Sequence, residues 1–310
     1  MNTEKETQRR FLMKVSAAVL ASGCLSIPNV FAAIPRLNTK VIPSSKEQIP
    51  VIGMGSWMTF NIGQDQVAFE NCVQVLKAFF DAGGSVIDTS PMYGSSEQVI
   101  GQCLKRLGRS QDNFSATKVW TPFKSKGVEQ MQHAYQLWGS EQIDLYQIHN
   151  LVSWQDHLET LQALKSQQKI RYIGLTTSHG RRHDECEKIM KTHAIDFIQV
   201  TYNVLNREIE TRILPLAQEL GIAVMVNRPF QRNGLFRRFS SKPLPMWVSD
   251  IDCASWAQYF LKFIVSHPAV TCAIPATSQV AHMKENMAVL TGRLPDENMR
   301  QKMLDYLKVV

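Results

Sequence analysis

From Pro50 onward, short apolar runs alternate with longer segments in which apolar residues recur every three or four positions. The runs are Val51–Gly55, Ser85–Asp88, Phe114–Lys118, Ile143–His149, Arg171–Thr176, Phe197–Thr201, Ala223–Asn227 and Ala269–Pro275. They show no apolar/polar alternation, which predicts strands buried on both faces in a parallel sheet. The intervening segments, about 11 to 17 residues long, read as amphipathic helices. In the second of them Ser95 or Ser96 is placed to cap the free amides, and Glu97 suits the positive end of the dipole. Val99, Ile100, Cys103, Leu104 and Leu107 fall on one face of that helix. Eight strand–helix units closing on themselves predict an α/β fold, a (β/α)8 TIM barrel. A doubly wound open sheet is the alternative that the alternation leaves standing. Arg36 to Gln48 predicts a small hairpin ahead of the barrel, Arg228 to Asp250 a long loop rich in Arg, Pro and Ser, and Asp296 to Val310 a final helix.

Composition narrows the class. A chain of 310 residues with 44% apolar and 20% charged residues can bury a core, which excludes disorder and a disulfide miniprotein. The net charge of +7 lies partly in the first 32 residues, where Lys5, Arg9, Arg10 and Lys14 face only Glu4 and Glu6. The rest is spread over an enzyme-sized body without the concentrated basic stripe that nucleic acid requires, so no nucleic-acid partner is expected. Beyond Cys24, the cysteines Cys72, Cys103, Cys186, Cys253 and Cys272 lie far apart in apolar stretches, with no ligand spacing. They read as buried thiols, and no metal site is expected.

The first 32 residues read as an export signal and residues 33–310 as a single barrel domain. Arg9-Arg10-Phe11-Leu12-Met13-Lys14 resembles a twin-arginine signal, with Gln8 where Ser or Thr is usual. The apolar run Val15–Leu25 that follows is too short for a bilayer, which takes about 20 helical residues, but suits a signal-peptide core. Val30-Phe31-Ala32 offers a cleavage site, leaving Ala33 first and no transmembrane segment in the mature chain. These features imply the twin-arginine export machinery as a partner and a periplasmic location. Lipid attachment at Cys24 is a competing outcome, and a cytoplasmic protein with a basic start is another.

In a parallel barrel the carboxyl ends of the strands converge on one face, where polar residues that end apolar runs become candidates. Asp88 ends the second run, Lys118 the third and His149 the fourth, and Tyr93 follows Asp88 by five residues. A phenol can donate a proton, and a nearby ammonium can lower its pKa from about 10 toward neutrality. A carboxylate can keep that ammonium charged, and an imidazole can polarise a carbonyl. Gly53-Met54-Gly55-Ser56-Trp57-Met58 lacks the third glycine of a dinucleotide fingerprint, and no phosphate loop follows, so a nucleotide would have to be held another way.

From Arg36 to the carboxyl terminus the chain resembles the aldo-keto reductase family. The segment Gly83-Gly84-Ser85-Val86-Ile87-Asp88-Thr89-Ser90-Pro91-Met92-Tyr93-Gly94-Ser95-Ser96-Glu97 is similar to that family's signature around its catalytic Asp and Tyr. Thr117-Lys118-Val119-Trp120 resembles the motif of its lysine, and Asp144-Leu145-Tyr146-Gln147-Ile148-His149 that of its histidine. The resemblance implies an NAD(P)H-dependent oxidoreductase that reduces an aldehyde or ketone, with Tyr93 protonating the carbonyl oxygen. It implies NADP(H) as cofactor, with NAD(H) as the alternative. The cofactor positions would be Ser56, Thr176, Thr177, a carboxamide-binding Gln199, a ring-stacking Tyr202, and Arg228 and Pro229 at the pyrophosphate. Thr277, Ser278, His282 and Asn286, with Lys284, would serve the adenosine phosphate. Ala276 and His282 stand where NADP-preferring members often carry cations, which implies a modest preference for NADPH. Trp57, Met58, Met92, Trp120 and the 228–250 loop would wall a small-molecule carbonyl pocket, and Arg232, Arg237 and Arg238 could greet an anionic group. A non-catalytic nicotinamide-binding sensor or accessory subunit is the main rival, and a lyase using Lys118 as a Schiff-base amine is a second.

Overall fold

The computed structural model describes residues 36–310. The export signal read at residues 1–32, with Arg9, Arg10 and Cys24, lies outside the described residues. Arg36–Val310 forms one compact unit. A hairpin comes first, β1 (Thr39–Val41) pairing antiparallel with β2 (Gln48–Pro50). Eight strands then form one parallel sheet in chain order: β3 (Met54–Gly55), β4 (Val86–Asp88), β5 (Phe114–Val119), β6 (Ile143–Ile148), β7 (Ile170–Thr176), β8 (Phe197–Thr201), β9 (Ala223–Asn227) and β10 (Cys272–Ala273). Parallel bridges Ile52↔Ala273 and Gly55↔Ala276 join the last strand to the first, so the sheet closes as the expected barrel rather than an open sheet. The helices that follow the strands are α1 (Gln66–Asp81), α2 (Ser96–Leu107), α3 (Lys124–Trp138), α4 (Trp154–Ser166), α5 (His183–Thr192) and α6 (Ile213–Leu220). They continue as α7 (Gly234–Phe239), α8 (Trp256–Val265), α9 (Val280–Met287) and α10 (Glu297–Val309).

Period two along each strand sorts side chains between two cores. Val86, Phe114, Ala116, Leu145, Tyr172, Phe197, Ala223, Met225, Cys272 and Ile274 fill the barrel, and Ile42 and Ile49 of the hairpin join them, plugging one end. Ile87, Val119, Tyr146, Ile148, Ile173, Leu175, Ile198 and Val224 face outward under the helices. One step further along, the inward residues turn polar: Asp88, Lys118, Gln147, Thr176, Gln199 and Asn227. The site is therefore the upper tier of the same interior pattern that packs the core.

Three local expectations change. Ser95 precedes α2 but makes no side-chain cap; its Oγ accepts from Gly63 N at 2.9 Å and donates to Asn61 Oδ1 at 3.2 Å, while Ser96 Oγ donates to Tyr93 O at 2.8 Å. Glu97 does fall in the first turn of α2, but it is buried against the barrel and accepts from Thr117 Oγ1 at 2.5 Å, and burial raises its pKa. The 228–250 loop contains α7 and a 3-10 turn at Met246–Ile251, because Leu235, Phe239, Val248 and Ile251 are buried and pull it onto the barrel. Cys72, Cys103, Cys186, Cys253 and Cys272 are buried free thiols.

Candidate active site

The four residues that ended or followed apolar runs come together. Lys118 is fully buried, and its ammonium donates to Asp88 Oδ2 at 2.6 Å and to Thr89 O at 2.7 Å. Burial lowers the Lys118 pKa, and the Asp88 carboxylate opposes that shift. The same ammonium lies 5.3 Å from the centre of the Tyr93 ring. Tyr93 in turn meets His149 edge to face, with ring centres 5.7 Å apart.

Strand pairing explains the meeting. Lys118 on β5 is in register with Gln147 on β6, whereas Asp88 on β4 is level with Ala116, one inward step below, and the long Lys118 side chain spans that step to the carboxylate. Tyr93 enters on a 3-10 turn, Pro91–Tyr93, whose first amides are capped by Ser90 Oγ accepting from Met92 N at 3.2 Å. Ser90 Oγ also pairs with His149 Nδ1 at 2.8 Å. His149 Nδ1 is the one acceptor that the Ser90 hydroxyl proton finds among the described residues, which assigns that proton to Nδ1 and leaves the neutral imidazole's own proton on Nε2. Burial, and then the Lys118 charge, lowers the His149 pKa to about 3, so the ring is neutral at ordinary pH.

Two glutamines complete the set. Gln147 Nε2 donates to Asp88 Oδ1 at 2.9 Å, and Gln199 Nε2 donates to the same oxygen at 2.8 Å and to Gln147 Oε1 at 3.1 Å. Gln147 was not singled out from the sequence. Its signal was a polar residue two positions before His149 on the inward face, opposite Gly174, where an added Cβ would sit 2.8 Å from Gln147 Cγ.

The expected lowering of the Tyr93 pKa is corrected. Burial raises it, and the Asp88 charge raises it further. The phenol stays protonated because its own desolvation outweighs an ammonium whose charge is already matched by Asp88.

A cavity of about 870 Å³ opens above these groups. It brings together Ser56, Trp57, Met58, Met92, Thr176, Thr177, Gln199, Arg228 and Pro229 of the sequence-derived residues. It adds Asn150, Asn227 and Phe230, and on its rim Ser178, His179, Arg181 and Arg182. Tyr202 is not among them. Its ring is fully buried against Phe263 and His267, and its hydroxyl is held by Glu210 and by Arg300 Nη2 at 2.8 Å, so it cannot stack on a nicotinamide. Trp120 also lies outside the cavity, half exposed, with its backbone tied to Gln130 at 2.9 and 3.0 Å. Thr277, Ser278, His282 and Asn286 lie beyond the cavity edge at Ala276, beside or within α9. Arg237 and Arg238 do not line it either, whereas Arg232 does, with its guanidinium carbon 4.1 Å from the centre of a Trp57 ring. No cluster of metal-ligating side chains occurs among the described residues.

Residues 51–302 match the model of the aldo/keto reductase family. The chain belongs to that family. Among curated relatives, the methylglyoxal reductase YeaE of Escherichia coli is 28% identical over 258 residues, covering 81% of this chain and 89% of that protein. The NADH-specific methylglyoxal reductase of E. coli is 24% identical over 310 residues, covering 84% and 92%. Among solved structures, an aldo/keto reductase from Klebsiella pneumoniae in complex with NADP and acetate superposes with a TM-score of 0.73 at 25% identity, covering 88% of this chain and 95% of that one.

Proposed function

We propose that this aldo/keto reductase converts an aldehyde or ketone to an alcohol with NADP(H), accepting NAD(H) as well. The observation that carries this reading is the buried Lys118–Asp88 pair beside Tyr93, with neutral His149 alongside, where Asp88, Tyr93 and His149 line one large cavity and Lys118 lies buried behind them.

The cavity fits a dinucleotide. Ser56 Oγ and Thr177 Oγ1 are buried in its wall without a protein partner, and a carboxamide would satisfy them. Gln199 directs its amide N–H groups to Asp88 and Gln147, and its Oε1, which accepts only a long bond from Asn227 Nδ2 at 3.5 Å, has a lone pair left for that carboxamide. Arg228 and Pro229 would meet the diphosphate. A bound reduced nicotinamide supplies the hydride that adds to the carbonyl carbon.

The chain's own residues handle the oxygen. Tyr93 gives its phenolic proton to the carbonyl oxygen as the C–O double bond becomes single. The His149 Nε2–H donates a hydrogen bond to the same oxygen and orients it. The phenolate left on Tyr93 lies beside the Lys118 ammonium, which Asp88 keeps charged and Gln147 and Gln199 hold in place. Trp57, Met58 and Met92 supply the apolar wall. Because the proton donor is a single hydroxyl, Tyr93→Phe should keep dinucleotide affinity and lower turnover about 10²-fold or more. Fluorescence titration and steady-state rates check it, and near-normal turnover would remove Tyr93 from this role.

Export is a separate proposal, supported by the paired Arg9 and Arg10 ahead of the short apolar run Val15–Leu25. Replacing both arginines by lysine keeps the charge and removes the guanidinium pair, so precursor should accumulate in the cytoplasm. Fractionation of cells expressing the two forms reads the outcome.

A further inference from the structure

Resting on that reading, we infer that the preferred carbonyl substrate carries an anionic group, a carboxylate or phosphate, seated at His179 and Arg181 on the rim of the cavity. Four arginines, Arg181, Arg182, Arg228 and Arg232, line this cavity together with His179. The one carboxylate in its lining is Asp88, and Lys118 consumes that charge. Arg182 is neutralised by Glu185 at 2.6 Å and bound to Asn150 O at 2.5 Å. Arg181, Arg228 and Arg232 have no carboxylate partner among the described residues. On the neighbouring segments, Glu185 is taken by Arg182 and Glu208 faces His183 at 3.3 Å.

The unpaired arginines also crowd one another and His179. Burial and then the charges of Arg228, Arg232 and Arg181 lower the His179 pKa, and burial and then Arg232 lower that of Arg228. Like charges held together repel unless an anion joins them. The backbone is strained to hold them there: His179, Arg182, Arg228, Gln231, Arg232 and Asn233 all have left-handed φ, between 49° and 65°. Such conformations are uncommon for side chains with a Cβ and cluster where function requires them.

A dinucleotide accounts for part of this charge and not all of it. Its diphosphate falls to Arg228, and Arg232, stacked on Trp57 from the same loop, lies beside it. Arg181 and His179 sit on a different loop, the one after β7, and remain over. That loop is tied to the catalytic floor: Ser178 Oγ donates to Asn150 Oδ1 at 3.2 Å, His179 Nδ1 pairs with Ser178 Oγ at 2.9 Å, and Asn150 follows His149. A carbonyl held at Tyr93 and His149 would thus extend along Asn150 and Ser178 to Arg181, with the His179 ring beside it as a hydrogen-bonding partner.

The experiment compares 4-carboxybenzaldehyde with 4-methylbenzaldehyde, which differ in charge at similar size, at saturating NADPH. The wild type should favour the carboxylate tenfold or more in kcat/KM, mainly through KM, and the preference should shrink as salt is raised. Arg181→Gln should bring the two aldehydes within threefold of each other, while the Kd for NADPH, read by fluorescence, moves less than threefold. Equal use of both aldehydes by the wild type, or a preference that survives Arg181→Gln, overturns the inference. A loss of NADPH affinity in Arg181→Gln that matches the loss for the carboxylate also overturns it, assigning the cation to the diphosphate. If neither aldehyde turns over, the reductase reading is what fails. Calorimetric binding of 4-(hydroxymethyl)benzoate against 4-methylbenzyl alcohol to the protein with NADP+ then decides the subsite by itself: tighter binding of the benzoate that Arg181→Gln abolishes supports it, and equal binding overturns it.

Discussion

At the scale of single residues, the Lys118–Asp88 pair sets the behaviour of the site. Neither side chain has water to fall back on, so removing one partner strands the other. Lys118→Met and Asp88→Asn should each destabilise the fold by about 3–5 kcal/mol, and the double variant by clearly less than the sum. Urea unfolding of the three proteins measures this. His149 gives a second expectation, in pH. Its folded pKa, about 3, lies below the unfolded value of 6.5, so the stability it contributes is full above pH 6.5 and is lost as pH falls from there toward 3. His149→Gln should flatten that acid limb by up to about 1.4 kcal/mol per pH unit. Activity should follow the same logic. With His149 neutral and Tyr93 protonated, turnover should be level from about pH 6 to 9, whereas a phenol tuned to neutrality would lose activity as pH rises. Asp88, Lys118 and His149 were legible because a polar side chain at the carboxyl end of a buried parallel strand points into the mouth of a barrel, where substrate can reach it. Tyr202 misled because the resemblance matched a Tyr just past a strand by its sequence context, which does not tell whether the ring enters a cavity or, as here, a buried cluster with Arg300 and Glu210.

At the scale of elements, the eight-fold rhythm was readable because a strand buried on both faces leaves an unbroken apolar run. Boundaries were less so. The run at Ala269–Pro275 keeps only Cys272–Ala273 as strand, and that at Val51–Gly55 only Met54–Gly55, because hydropathy records burial and not the ladder of hydrogen bonds. The cap read at Ser95 failed for a related reason: its hydroxyl is claimed by Asn61 and Gly63, 34 and 32 residues away in sequence, which no local pattern reveals. The helix it precedes does pack as its periodicity implies, and closely. At Gly101 in α2 an added Cβ would sit 1.7 Å from Leu137 O of α3, a backbone atom that cannot swing aside. Gly101→Ala should therefore force the two helices apart and cost about 1–3 kcal/mol or more, a loss visible in thermal unfolding.

At the scale of the whole molecule, the barrel and its ligand should be linked. A dinucleotide present at about 100 times its Kd should add about 2.7 kcal/mol to the stability of the fold, and thermal melts with NADPH and NADH would rank the two. The closure of the barrel gives this linkage a location. Where β5–β6, β6–β7 and β8–β9 are laced by longer ladders, the joint between β10 and β3 rests on a few amides: Gly53 N to Ala273 O at 2.9 Å, Ala273 N to Val51 O at 2.9 Å and Gly55 N to Pro275 O at 3.0 Å. Gly55, Ser56, Ile274 and Ala276, which flank that joint, also line the cavity. The cylinder thus has a seam, and the seam runs through the floor on which the ligand lies. In deuterated water the amides of Gly53, Gly55 and Ala273 should exchange well before those of Tyr146 or Leu175, and binding of the dinucleotide should slow the first group far more than the second, as a stitch drawn across a thinly laced joint of the barrel.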